Sequence, residues 1–402
     1  MPRPTILVAF GTRPEAIKLA PVIRELKRRP EIRTRVCVTA QHRQMLDQML
    51  ADFGLRPDDD LNLMQENQGL AGFSARALIR LQAVLKKERP ALLLVQGDTT
   101  TTFIASLAAF YERVPVGHVE AGLRSFDRNN PYPEEINRIL TDRLSELHFA
   151  PTAEAKRNLL AEGLRAADVF VTGNTVVDAL QWAAARQHRF REPRLASAVA
   201  ALGPDDRAVL VTTHRRENLE APLEGLCRAF RRLVQSHPEL HLFYPVHPNP
   251  KVERAVRTLV RHPRAHLLPP LGYFDLVHLF KRCAFALTDS GGLQEEAAGL
   301  GVPVLVLRRV TERPEVVRAG VAKIAGTEPG AVFQLASRLL RDEKLRSSMA
   351  RRVPVYGDGR ASKRIVDATL HRLGISRPRP AEFGTLRSVP ARYAQDRRRP
   401  RV

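Results

Sequence analysis

Along its hydrophobic and polar positions the chain alternates short apolar runs with longer amphipathic stretches almost from end to end. In the first half the apolar runs are TILVAF, TRVCVTA, ALLLVQGD, PVGHVEAG, LHFAPT and VFVTG, separated by amphipathic stretches such as EAIKLAPVIRELKRR and EEINRILTDRLSEL. A second series begins after residue 200 with AVLVTTH, LHLFYPVHP, AHLLPP, CAFALTDS, PVLVLR and VAKIAG. Strands spaced by helices of about 10 to 15 residues predict right-handed βαβ units and parallel sheets. The stretch ALQWAAARQHRFREPRLASAVAALGPDDR lacks strand character and ends in a Gly-Pro-Asp-Asp turn signal, so a boundary is expected near residues 175–205. The predicted fold class is α/β: two doubly wound, Rossmann-like domains, 1–178 and 200–357, facing each other across a cleft. In such sheets ligands bind beyond the carboxyl ends of the strands, so the chemistry is expected in the loops there.

Composition changes this picture little. With 402 residues, 44% of them hydrophobic, the chain can form two sizeable cores. Its three cysteines, Cys37, Cys227 and Cys283, show no paired spacing, which argues against a disulfide framework or a cysteine-rich metal site. No apolar run reaches the ~18 residues that a membrane span requires. No charged leader followed by a long apolar segment opens the sequence, so a cytoplasmic protein with no membrane association is expected. The net charge of +21 suggests a polyanion partner, but the cations are spread over predicted helix faces. The last 26 residues alone carry eight arginines against two acids, and 375–402 is expected to be a basic, disordered tail. Basic patches with interleaved aromatic residues are missing, so no nucleic-acid partner is expected.

Several loops carry candidate chemistry. In FGTRPEAIK, Thr12 and Glu15 have capping-box spacing and Pro14 suits a first helical turn. A strand end feeding a capped helix makes an anion site, to which Arg13 adds a planar donor fork and Lys18 a point charge. In FALTDSGGLQEEAAGLG a strand ends at Asp289, Ser290-Gly291-Gly292 allow close backbone approach, and a helix is expected from about Leu293. Consecutive N–H groups there suit a pyrophosphate, and Glu295 or Glu296 suits a ribose diol. Downstream, Arg308, Arg309 and Arg313 are expected to point towards the same cleft. Elsewhere Asp98 ends one strand, and Glu120 ends another with His118 two residues earlier and on the same face. Glu134 and Glu135 open a helix after two prolines, while His214 and His247 follow strands of the second series. Several carboxylates and a histidine at strand ends resemble an acid/base site, in which crowding pushes one carboxylate pKa upward. No HExxH, Asp-x-Asp or clustered His/Cys spacing marks a metal.

The motifs FGTRPEAIKLAP, VTAQHRQMLDQML, GDTTTT, PVGHVEAGLR, PEEINR, TGNTVVDAL, THRREN, YPVHPNP, TDSGGLQEEA and TERPE together resemble the non-hydrolysing UDP-N-acetylglucosamine 2-epimerases of bacteria, in that family's order from about residue 4 to 373. The resemblance implies a GT-B-like two-domain fold, a homodimer, and a C-terminal helix, 358–373, crossing back onto the N-terminal domain. It implies interconversion of UDP-GlcNAc and UDP-ManNAc with no cofactor or essential metal, supplying ManNAc for cell-surface polysaccharide. UDP and the C2 proton would leave in an anti elimination, and UDP would re-add to a 2-acetamidoglucal.

The same resemblance implies that Asp98, Glu120 and Glu134 are catalytic carboxylates and His214 a phosphate-side histidine. Arg13, His214, Ser290, Gly291, Gly292 and Arg313 would hold the UDP phosphates, Lys18 would line the sugar side, and Glu296 would bind the ribose. A second, regulatory UDP-GlcNAc site would use Gln41, His42, Gln44, Gln68, Arg215 and His247. Two features depart from the family pattern. Leu276 stands where relatives often have an aromatic near the uracil, leaving Tyr273 or Phe274 to compensate, and the basic tail lies outside the pattern altogether. The alternatives are a UDP-sugar glycosyltransferase or an epimerase of a modified UDP-sugar with the same fold. A hydrolysing epimerase that releases free ManNAc is a third, and a non-catalytic binding protein a fourth.

Overall fold

Each apolar run becomes one strand of two wholly parallel sheets. The computed structural model describes residues 3–40, 43–65, 69–213, 218, 221–246, 250–259, 261–311, 313–376 and 378–384. The first sheet contains β1 (Thr5–Phe10), β2 (Arg33–Val38), β3 (Asp59–Asp60), β4 (Leu92–Gln96), β5 (Val116–Val119), β6 (Leu147–Ala150) and β7 (Val169–Val171), in the order β3-β2-β1-β4-β5-β6-β7. The second contains β8 (Arg207–Thr212), β9 (Leu240–Pro245), β10 (Ala265–Leu268), β11 (Phe285–Thr288), β12 (Val304–Val306) and β13 (Ala322–Ile324), in the order β10-β9-β8-β11-β12-β13. The two-residue β3 is polar and lies at an edge, which is why no apolar run announces it.

Both orders reverse once, beside β1 in the first sheet and beside β8 in the second, and a doubly wound sheet opens a crevice at such a point. Helices cover both faces, so the strands read as continuous apolar runs; all five residues of β4 are buried. Alternate residues of β1 feed two cores. Ile6, Val8 and Phe10 join one with helix Arg13–Lys27, while Leu7 and Ala9 join another with helices Leu70–Glu88 and Thr100–Tyr111. Among the described residues no helix is long and apolar enough to cross a membrane.

Two later segments complete the first core. Ile365, Val366 and Leu370 of helix Ala361–Arg372 and Tyr273, Phe274 and Val277 of helix Tyr273–Phe280 pack among the side chains of Arg13–Lys27. Asp178 holds the returning helix by its N-terminus, accepting from the N–H groups of Ala361 (3.1 Å) and Ser362 (2.8 Å) and from the Ser362 hydroxyl (2.6 Å). Disorder was expected from residue 375 onward, yet 378–384 are tied along the edge strand β7. The Phe383 N–H donates to Val171 O (2.7 Å), Arg379 lies 4.1 Å over the Phe170 ring, and Glu382 pairs with Lys156 at 2.9 Å. An edge strand offers unpaired backbone groups, and this stretch of the expected tail takes one of them.

Removing the Asp178 carboxylate leaves the buried Ala361 N–H and the half-buried Ser362 N–H at the crossing helix without that partner, which costs ~1–3 kcal/mol. Asp178→Ala is expected to lower the melting temperature by several degrees in a thermal denaturation scan.

Candidate active site

The turn after β1 is built around a buried carboxylate. Glu15 reaches back to accept from the N–H groups of Gly11 (3.1 Å) and Thr12 (2.7 Å), the returning half of a capping box. Its other oxygen accepts from Thr99 (2.8 Å) and Thr102 (3.0 Å) at the start of helix Thr100–Tyr111. Glu15 thus joins two helix N-termini at the switch point of the sheet, and burial pushes its pKa up. Arg13 turns the other way. Burial lowers its pKa, and the charged or ionisable groups that oppose this are Glu296, Tyr273 and Asp52.

Glu120 follows β5 with φ of +70°, a left-handed conformation rare in a residue with a Cβ. That turn ends the strand's alternation, so Glu120 and His118 do not share a face as the spacing predicted. His118 is fully buried, with Nδ1 2.6 Å from Asp142 and Nε2 2.7 Å from Gly97 O, and serves the core. Two residues on, Gly122 has φ of +83°, and a Cβ there would sit 2.3 Å from Ala155 O. The carboxylate of Glu120 is 8% exposed as a residue and receives Lys18 Nζ on both oxygens, at 2.8 and 2.5 Å. Gln96 donates to its Oε2 and Asn174 to its Oε1, the latter at 2.9 Å.

Burial alone would raise the Glu120 pKa, but Lys18, Arg313 and Asn174 outweigh it and hold the carboxyl below its usual range. Lys18 answers in kind. Burial would lower its pKa, but Glu120, Glu295 and Asp98 raise it. The crowding expected to push a catalytic carboxylate upward is therefore reversed at Glu120, because a lysine sits between the acids.

Helix Glu134–Leu144 supplies the rest of this wall and divides its two leading glutamates. Glu135 points inward, accepting from the N–H groups of Ser125 (3.0 Å) and Phe126 (2.9 Å) and from Arg138 (3.0 Å), and so fixes the 123–133 loop. Glu134 faces the cleft, its Oε2 buried without a hydrogen-bond partner among the described residues. Asp98 accepts from Arg138 Nη2 at 2.5 Å. Lys18, Asp98, Glu120, Glu134, Arg308 and Arg313 all line one cleft of about 880 Å³. Arg309, expected with the other arginines, is exposed and lies outside that lining.

Across the cleft, Ser290 caps helix Gly291–Leu300, accepting from the Leu293 N–H at 3.4 Å. The helix starts two residues before the expected Leu293, because the cap draws both glycines into its first turn. Their N–H groups then lie at a helix N-terminus, where an anion is favoured. One turn in, Glu295 and Glu296 part company. Glu295 takes Arg313 Nε and, at 3.1 Å, Asn174 Nδ2, so it is engaged in structure. Glu296 has its pKa pushed up to about 7 by burial first and Glu295 second, with Arg13 and Lys18 opposing.

The buried hydroxyl of Tyr273, near Glu296 and Arg13, has no hydrogen-bond partner among the described residues. Phe274 is committed to the core, packed against Phe53, Trp182 and His188, and Leu276 packs half-buried on the second domain. Neither offers a free aromatic face for a base. His214, Gln41, His42, Gln68, Arg215 and His247 lie outside the described residues, as does the side chain of Gln44. Sequence reasoning missed Arg138, Gln96 and Asn174. Arg138 had a signal, four residues after Glu134 on one helix; the reach of Asn174 across domains had none.

Two parallel-sheet domains, with carboxylates and a lysine at the strand ends of one and a capped Ser-Gly-Gly turn at those of the other, define a GT-B-like enzyme of nucleotide-sugar type. Residues 24–370 match the profile of the UDP-N-acetylglucosamine 2-epimerase family. The chain is 48% identical over 379 residues to the UDP-N-acetylglucosamine 2-epimerase of Bacillus subtilis (strain 168), covering 94% of this chain and 98% of that one. It is 46% identical over 368 residues to that of Escherichia coli (strain K12), covering 90% and 97%. The UDP-GlcNAc 2-epimerase of Neisseria meningitidis, solved bound to UDP-GlcNAc, superposes with a TM-score of 0.84 at 43% identity, covering 91% of this chain and 99% of that one. The chain belongs to the UDP-N-acetylglucosamine 2-epimerase family, and it is an isomerase.

A pKa of about 7 at Glu296 implies a folded state that favours the protonated acid more than the unfolded chain does. Its contribution to stability is complete below pH ~4.5 and is lost as pH rises towards 7. Glu296→Gln is expected to be more stable than the parent protein at pH 8 in urea unfolding, with the difference vanishing towards pH 4.

Proposed function

We propose that the protein interconverts UDP-GlcNAc and UDP-ManNAc by reversible anti elimination of UDP. The observation that carries this reading is the gathering of Asp98, Glu120, Glu134 and Lys18 along one wall of a cleft. The family membership and the UDP-GlcNAc-bound relative support the substrate. The C2–H bond breaks and its proton passes to a carboxylate. Its electron pair becomes the C1=C2 bond as the C1–O bond breaks towards the UDP β-phosphate. The intermediate is 2-acetamidoglucal beside bound UDP. Protonation of C2 from the other face, with UDP re-adding at C1, gives the epimer.

The C2 proton is not next to a carbonyl, so its loss depends on UDP leaving as it goes. Cations and N–H dipoles already aimed at the departing pyrophosphate are then the largest contribution the site can make. We assign that part to Lys18, Arg13, Arg313, His214 and the Ser290–Gly291–Gly292 turn, and proton removal and return to Asp98, Glu120 and Glu134. Arg313 would exchange part of its engagement with Glu295 for the phosphates. Glu296 would accept from the ribose hydroxyls, and the neighbouring Tyr273 hydroxyl stands within the same group. The same proposal takes 1–178 and 200–357 as the two domains with 358–373 crossing back, and a cytoplasmic homodimer making ManNAc for cell-surface polysaccharide. Gln41, His42, Gln44, Gln68, Arg215 and His247 would form a regulatory UDP-GlcNAc site.

Incubation with UDP-GlcNAc in D2O, followed by NMR, tests the reaction. UDP-ManNAc should form with deuterium at C2 of both epimers and no free sugar. An intact substrate with its C2 proton unchanged would point to a transferase or another sugar, and free ManNAc to a hydrolysing enzyme. Asp98→Asn and Glu120→Gln are each expected to lower turnover by ~10²–10⁴ while UDP binding, read by calorimetry, persists. Near-normal turnover in both would remove the carboxylate assignment.

A further inference from the structure

Asn174 has no part in the reaction as described so far. It caps helix Thr175–Ala184, its Oδ1 accepting from the Val176 N–H at 3.0 Å. That bond settles which end of the amide is oxygen, so Nδ2 must point away from the helix. The two hydrogens of Nδ2 leave in different directions. One goes to Glu120 Oε1 at 2.9 Å, the other to Glu295 Oε2 in the second domain at 3.1 Å. Asn174 is 3% exposed, and its own N–H donates to Tyr356 O at 2.5 Å, just before the chain returns to the first domain.

These bonds bear on how the Glu120 carboxylate is held. Lys18 bridges both of its oxygens from one side, which by itself leaves the carboxylate plane free to turn about that contact. Gln96 on Oε2 and Asn174 on Oε1 give each oxygen a second donor and remove that freedom. Among the described residues, Asn174 is the one of these donors that also hydrogen-bonds into the other domain. We propose that Asn174 is a positioning residue that sets the carboxylate of Glu120 for proton transfer at C2 and, through Glu295, makes that setting depend on the second domain being drawn against the first. The inference rests on the role in proton transfer proposed above for Glu120.

The electrostatic consequence has a definite sign. Among the described residues, the charged groups facing Glu120 are Lys18 from the first helix and Arg313 from the second domain, with Glu295 behind Asn174 and Asp98 beyond Lys18. Asn174 is one of the donors that hold Glu120 ionised. Taking a donor from an ionised carboxylate raises its pKa, and putting a second carboxylate there raises it further. A base so altered stays protonated over a wider acid range, so the acid limb of the rate profile moves to higher pH.

Asn174→Asp separates this role from helix capping, because Asp caps a helix as well as Asn does, while the Nδ2 donor is replaced by a negative charge beside Glu120 and Glu295. With UDP-GlcNAc in D2O, the exchange rate at C2 should fall at least ~tenfold in kcat, with KM within about threefold. The acid limb should move up by about half to one pH unit, and the melting temperature should fall, because the new carboxylate is buried beside two others. Asn174→Ser keeps a capping hydroxyl without adding charge and should shift the limb in the same direction by less; it replaces the Asp variant if that one does not fold.

Glu120→Gln, assayed in parallel, separates the two ideas. If it abolishes exchange while a folded Asn174 variant keeps the parent kcat and acid limb, Asn174 is a helix cap only and the inference is overturned. If Glu120→Gln itself retains exchange, the assignment of Glu120 fails, and the positioning role fails with it.

Discussion

A carboxylate buried to the extent of Glu120 stays ionised only if its surroundings replace the water it has lost. Much of the molecule's arrangement can be traced to that requirement. The replacement comes from Lys18 on the first helix, Gln96 at the end of β4, and Asn174 at the head of a helix that leads towards the second domain. No two of these are close in sequence, and they meet only because parallel strands deliver their carboxyl ends to one rim. Behind Asn174 stand Glu295 and Arg313, so the solvation of a charge in one domain is completed by the other.

The same economy of charge explains the cleft's mixture of signs. Four arginines, a lysine and several carboxylates line one cleft, and each charge lowers the cost of an opposite neighbour. Where burial and a like charge outweigh the nearby cations the balance tips, as at Glu296. There burial and the adjacent Glu295 leave the acid about half protonated at pH 7. An elimination that expels a pyrophosphate needs positive charge already in place before the bond breaks. In the elimination proposed above, Lys18 and Arg313 held against carboxylates would stay charged and ordered until a phosphate took over part of their coordination.

The fold was legible from the sequence almost strand by strand. The apolar runs are long enough to be buried on both faces, and only covered parallel sheets accommodate that. The Ser290 turn and the Thr12–Glu15 spacing were equally plain, being local hydrogen-bond chemistry. Side-chain direction was harder. Strand alternation placed His118 beside Glu120, but the left-handed residue at 120 breaks the alternation and sends the histidine into the core. Glu134 and Glu135 looked alike, yet only tertiary contacts decide that the second closes a loop and the first faces the cleft. Phe274 was a candidate for stacking until Phe53 and Trp182 were found to enclose it.

The sequence by itself determined which segments form strands and helices, where the capped strand-to-helix turns lie, and which acids stand at strand ends. Each of these depends on residues within a few positions of one another, through backbone propensity, capping and periodicity. Only the tertiary structure decided which acids keep their charge, which cation each one meets, and that Asn174 serves both domains at once. Those outcomes depend on burial and on distances between groups more than fifty residues apart, and a buried charge takes its energy from whatever surrounds it in space, whatever its place along the chain.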